Sequence, residues 1–155
     1  MFILWEPLTP AAHVEIVSTS PEETEAVAAR LAARLEPGDV VYVAGELGSG
    51  KTTFVRGACR ALGVAGPVTS PTYTIGHRYK GVSHLDLYRV ERLAEADWGA
   101  LEPYFADAVV FVEWPERGGG WLPLPRVTVS LGHVDEKRRR LGISSDEPEL
   151  LAGLI

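Results

Sequence analysis

The chain of 155 residues contains no asparagine. A GTPase that recognises guanine through an N-K-x-D motif needs that residue. This route to guanine is closed, and adenine, which requires no side-chain code, is the favoured base. Cysteine is almost as scarce. Cys59 stands alone, so no internal disulfide can form, and with no histidine or acid near it in sequence it reads as a core thiol. No stretch approaches the about 18 apolar residues of a membrane span, and the N-terminus shows no basic n-region with a long apolar h-region. A cytoplasmic protein with no membrane partner is expected. Excess positive charge is missing too: a net charge of −6 argues against a broad basic face gripping nucleic acid. The one dense basic run is Lys137-Arg138-Arg139-Arg140. Its plain reading is a solvated hairpin face, and its functional alternatives are contact with RNA phosphates, a partner's acidic surface or the nucleotide.

What is present is an ordinary globular composition, 46% hydrophobic and 23% charged, without internal repeats. One domain over residues 1–155 is expected, with an extension at 1–12 and a tail at 145–155. Its centre is Val40 to Gly57, VVYVAGELGSGKTTFVRG. A β-branched run leads into Gly45-Glu46-Leu47-Gly48-Ser49-Gly50-Lys51-Thr52, and a helical pattern follows from Thr53. That is G-x-x-x-x-G-K-[ST] between a strand and a helix. The glycines let backbone N–H groups turn inward to cradle phosphate oxygens at a helix N-terminus. Lys51 would reach the terminal phosphates and the Thr52 hydroxyl would sit on Mg²⁺. The alternative is a Gly-rich turn. A bound nucleoside triphosphate is expected.

Along the chain, His13 to Val17 reads as an edge strand. Ser18-Thr19-Ser20-Pro21-Glu22-Glu23 starts a helix, with an N-cap candidate and Pro at its first position, whose buried stripe is Val27, Leu31 and Leu35, stopped by Pro37-Gly38. The helix after the phosphate loop runs to about Leu62. Tyr73 to Tyr79 and Val82 to Leu87 read as an antiparallel hairpin, Glu91 to Ala96 as a brief helix, and Leu101 to Phe105 as another. Ala108 to Val112 is apolar throughout, as in a strand buried on both faces. Gly118 to Gly120 forms a flexible loop. Arg126 to Leu131 and Arg139 to Ile143 make a second hairpin, and the tail holds at most a short helix. The fold class is therefore α/β: a mostly parallel central sheet with antiparallel hairpin strands and helices on both faces.

Hydrolysis needs an acid at the carboxyl end of a buried strand to help hold Mg²⁺. Glu113 ends the most apolar strand and takes that role. Asp86, in His84-Leu85-Asp86-Leu87-Tyr88-Arg89, is the candidate for positioning the attacking water. For each, the plain alternative is an acid capping a strand end or paired with Arg. Ser70-Pro71-Thr72 is a third part: Thr72 offers a hydroxyl to Mg²⁺ or the γ-phosphate, in a loop ordered by triphosphate, unless it is only a polar turn. His77 and His84 read as surface or satisfied core histidines. Trp114 reads as packing that fixes the neighbouring acid.

GELGSGKTTFVRG, SPTYTIGHRY, HLDLYR and VEWPERGGGWLP, in this order, resemble the TsaE (YjeE) family, from about Ser18 to Arg139. The resemblance implies a P-loop NTPase fold and an ATPase, weak alone, that works with TsaB and TsaD in threonylcarbamoylation of adenosine next to the tRNA anticodon. Contact with tRNA would be indirect, through that complex. By position it implies Gly48, Ser49, Gly50, Lys51, Thr52 and Thr53 as the phosphate loop, with Thr52 and Glu113 as Mg²⁺ ligands. It further implies Asp86 as the acid linked to hydrolysis, Ser70 to Thr72 as a switch-like loop, and Thr24 near the base. Glu46, Ser49 and Leu85 replace a common Asp, Ala and Phe, and the N-terminal extension has no counterpart. Two other classes stay open. One is an ATP-dependent assembly factor that needs no hydrolysis. The other is a small-molecule kinase, for which the only lid-like piece is Gly118 to Gly120 after Arg117.

Overall fold

Strand β2 (Val40–Gly45) lies in the middle of a seven-stranded sheet of order β1-β7-β6-β2-β5-β4-β3. The computed structural model describes residues 10–69, 75–91 and 93–154. The expected loop Ser70-Pro71-Thr72 and the first part of the N-terminal extension lie outside these residues. Strands β6 (Val127–His133), β5 (Val109–Glu113) and β4 (Val82–Asp86) join β2 in a parallel centre. Strands β1 (Ala12–Ser18), β7 (Arg139–Ser145) and β3 (Gly76–Tyr79) pair antiparallel at the flanks. Because β7 reverses β6 and β1 reverses β7, five strands run one way and only β7 and β3 the other. Both hairpins read from the sequence are present, and β1 and β3 are the edges.

Alternation along the strands divides the core in two. Val41 and Val43 of β2, with Phe111 of β5, face helices α1 (Pro21–Ala32) and α2 (Lys51–Ala61), where Leu31, Phe54, Val55 and Cys59 are fully buried. Val40, Val110 and Val112 face the other way, under helix α3 (Glu95–Leu101) and the 3-10 turns Glu102–Phe105 and Pro115–Trp121. Helices α1 and α2 approach closely because Gly57 has no side chain: a Cβ there would collide with the Glu25 backbone.

Three local expectations move. Helix α1 begins as read, with Ser20 Oγ accepting from Glu23 N at 3.1 Å and the Glu23 carboxylate accepting from Thr19 N. It ends at Ala32, not at Pro37-Gly38. Arg34 and Leu35 donate to carbonyls three residues back, and the Asp39 carboxylate captures the Glu36 N–H, which tightens the last turn early. Helix α3 starts at Glu95 rather than Glu91, because Asp97 Oδ2 accepts from Ala94 N at 2.9 Å and fixes the start there. Gly118 to Gly120 is not a loop but part of a 3-10 segment, kinked at Gly119 and packed through Gly118 on Leu122. The tail carries a short helix, α4 (Pro148–Leu151), and is pinned to α1 and the turn after it by Arg30 and Arg34, whose guanidinium groups donate to the carbonyls of Leu154, Leu150 and Ala152.

Candidate functional site

An open cavity of about 300 Å³ lies where the carboxyl ends of β2, β4 and β5 meet the start of α2. Leu47, Gly48, Gly50, Lys51, Thr52, Thr53, Asp86, Tyr88, Glu113 and Trp114 line it. The loop between β2 and α2 needs its glycines: Gly48 and Gly50 have φ of +75° and +103°, and a Cβ on Gly45 would strike the Leu131 carbonyl. Ser49 is buried and turned beneath the loop, its Oγ without a partner among the described residues. Lys51 curls back so that Nζ donates to the carbonyls of Gly45 and Glu46, both at 2.7 Å, and lies 4.4 Å from the centre of the Trp114 ring. Burial holds its ammonium below the usual lysine range, against the opposing pull of Glu113, Asp86 and Glu116.

Glu113 and Asp86 are cross-strand partners on adjacent parallel strands, so both carboxylates reach the same end of the sheet. Their surroundings differ. Glu113 is 2% exposed, and Thr52 Oγ1 donates to Oε2 at 3.1 Å, with Oε1 at 3.4 Å. Asp86 is half-buried, with Oδ1 accepting from Tyr88 N at 3.0 Å. Burial is the main cause that pushes its carboxyl above the usual range; the Tyr88 N–H bond opposes it and the nearby Glu113 adds to it. Trp114 takes a left-handed backbone, φ +56°, which lays its ring beside Lys51 and 4.9 Å from that of Tyr88. Arg117 stands 5.9 Å from both rings and donates to the Val90 carbonyl.

The geometry suits a triphosphate with Mg²⁺. Thr52 and Glu113 supply hard oxygen donors side by side next to a helix N-terminus, the kind of set that shares Mg²⁺ with phosphates and water. Among the described residues no three His, Cys, Asp or Glu side chains cluster to hold a metal by themselves. No described helix is long and apolar enough to cross a membrane.

The fold brings Gly48, Gly50, Lys51, Thr52, Thr53, Asp86 and Glu113 to one cavity. Gly45 joins them through its carbonyl on Lys51. Thr24 stands apart: it is buried in α1, its hydroxyl 2.7 Å from that of Ser18, and does not line the cavity. Thr72 lies outside the described residues. The basic run sits at the β6–β7 turn, where Arg138 pairs with Asp135 at 2.7 Å and Arg139 donates to the carbonyls of Asp135, Glu136 and Arg138. His133 Nε2, 3.5 Å from the Leu47 carbonyl, sets this turn beside the phosphate loop. Cys59 is a core thiol, pushed by burial up to about 12. Sequence reasoning passed over Tyr88, and read His84 as a surface or satisfied core histidine with no part in the site. His84 is fully buried, its Nε2 2.5 Å from Glu113 Oε2, and the available signal was its place two residues before Asp86, on the same face of the same strand.

A family model described as "Threonylcarbamoyl adenosine biosynthesis protein TsaE" matches residues 18–141. A protein of Bacillus subtilis named tRNA threonylcarbamoyladenosine biosynthesis protein TsaE is 37% identical over 128 residues, 80% of each chain. One of Treponema pallidum with the same name is 36% identical over 132 residues, 83% of this chain and 98% of its own. Among solved structures, the crystal structure of Bacillus subtilis YdiB is similar with a TM-score of 0.75 and 29% identity, covering 92% of this chain and 94% of that one.

Proposed function

Because the chain belongs to the TsaE family, we propose that it is the ATP-binding, slowly hydrolysing subunit acting with TsaB and TsaD in the biosynthesis of tRNA threonylcarbamoyladenosine. The relatives' names carry the pathway. The observation that carries the ATPase reading is the single cavity shared by Lys51, Thr52, Glu113 and Asp86. The P-loop backbone and the first turn of α2 face the phosphates. Thr52 and Glu113 would hold Mg²⁺, which when bound neutralises charge building on the phosphate oxygens.

Lys51 has a choice of partners. Its two carbonyl bonds must be exchanged for phosphate oxygens, which an anion in a partly desolvated cleft favours. Asp86 lies across the cavity, with Oδ1 already held by the Tyr88 N–H. Its carboxylate accepts a hydrogen bond from the water that attacks the γ-phosphorus. The new P–O bond forms as the bond to the β–γ bridging oxygen breaks, ADP leaves with that electron pair, and the water's proton ends on phosphate. A raised Asp86 pKa suits a group that shares this proton in passing. Turnover alone is slow in this reading because Asp86 and the Thr72 loop await partner contact to set the water in line. Tyr88, 40% exposed and beside Trp114 in the cavity lining, is the place for that contact. ATP hydrolysis measured with and without the cognate TsaB–TsaD complex tests this. Stimulation is expected, and its absence removes the partner-activated reading.

A further inference from the structure

His84 has no part in the function above, yet it is buried to 0% exposure in the middle of β4. An apolar residue would fill that place without leaving a polar atom unpaired, and His84 Nδ1 has no partner among the described residues. Its other nitrogen explains its presence. Strand alternation sends Val82, His84 and Asp86 to the α2 side of the sheet, and the β4–β5 register sets His84 opposite Phe111, diagonal to Glu113. Nε2 and Glu113 Oε2 stand 2.5 Å apart. In the ionised form that a metal ligand requires, Glu113 can only accept, and the imidazole tautomer that meets it then carries its proton on Nε2.

Glu113 is thereby held unevenly. Among the described residues, Oε2 takes both His84 and the closer contact of Thr52, while Oε1 has the 3.4 Å contact alone. We infer that His84 is a positioning residue for the metal ligand Glu113: it clamps Oε2 and so turns Oε1 toward the cation that accompanies the nucleotide. This rests on the reading of Glu113 as a Mg²⁺ ligand. An outer partner of this kind fixes the ligand's rotamer before the ion arrives, and its loss typically weakens metal binding roughly 10- to 100-fold.

The test is the affinity of N-methylanthraniloyl-ATP over a Mg²⁺ series and in EDTA, for wild type, His84→Leu, His84→Gln and Glu113→Gln. In His84→Leu the Mg²⁺ needed for half-maximal tightening is expected to rise roughly 10- to 100-fold, with EDTA affinity unchanged. His84→Gln, whose amide nitrogen can occupy the place of Nε2, restores most of the loss. Wild-type Mg²⁺ dependence in His84→Leu beside a shifted Glu113→Gln overturns the role of His84 alone. No shift in Glu113→Gln overturns the metal-ligand reading and this inference together. Equal failure of Gln and Leu, or equal loss of binding in EDTA, assigns His84 to holding the strand and overturns the inference. Should His84→Leu not fold, His84→Asn, whose amide is too short to reach Glu113, takes its place under the same criteria.

Discussion

The two faces of the sheet are built to different standards. One is covered by the long helices α1, capped by Ser20, and α2, in close approach at Gly57 and sealed by the tail under Arg30 and Arg34. The other is covered by one short helix and two 3-10 turns, and its aromatic edge stays open: Tyr88 is 40% and Trp121 42% exposed. The nucleotide cavity lies on the seam. The helical face supplies Lys51 and Thr52, and the strands under it present Asp86, Glu113 and His84. The turn face supplies Tyr88 and Trp114, whose rings lie tilted to each other in the cavity lining, with Arg117 beside both. Lys51 and Thr52 thus sit on a long helix packed on the core, and Tyr88, Trp114 and Arg117 on short segments with fewer buried anchors. Under the proposed function the first hold phosphate and the second meet the partner.

The largest expected effect separates the roles inside the seam. Asp86→Ala should lower partner-stimulated hydrolysis roughly 10²- to 10⁴-fold while leaving nucleotide affinity near wild type. Lys51→Ala should weaken nucleotide binding itself by about 2–5 kcal/mol. Assaying tRNA modification with both variants then divides the readings: modification that survives Asp86→Ala but not Lys51→Ala favours an assembly factor over an ATPase.

Next comes packing. Phe54→Ala empties the middle of the helical face and should cost about 3–5 kcal/mol in urea unfolding. Leu122→Ala, against Gly118 on the turn face, should cost nearer about 2 kcal/mol, because exposed neighbours there can close over the gap. Equal losses would break the comparison.

The smallest effect is alkaline. Cys59, under the helices, is pushed by burial from 9.0 up to about 12. Between those values the unfolded chain has lost the thiol proton and the folded chain keeps it, so stability falls as pH rises, by about 1.4 kcal/mol by pH 10. Cys59→Ala should flatten this loss. Tyr42, on the other face, is raised by burial from 10.0 to about 12, so its contribution begins a unit later and is smaller, its side chain being only part-buried. Tyr42→Phe should leave the shape of the curve unchanged below about pH 9.

By itself the sequence determined what depends on near neighbours in the chain. The phosphate loop, the Ser20 cap, the two hairpins and the buried strand ending in Glu113 are set by residue types a few positions apart, and all are where the pattern put them. Where a distant or unexpected side chain intervened, the reading slipped. Asp39 took the Glu36 N–H and shortened α1, and Asp97 moved the start of α3. The sequence had set Lys51, Thr52, Asp86 and Glu113 at one site, but only the tertiary structure decided which polar groups touch one another there. Glu113 meets His84 and Thr52 because the β4–β5 register and the docking of α2 bring them together, and neither is written in their spacing along the chain. Parallel strands are joined through long connections, so no turn sets their register; packing of the whole sheet does.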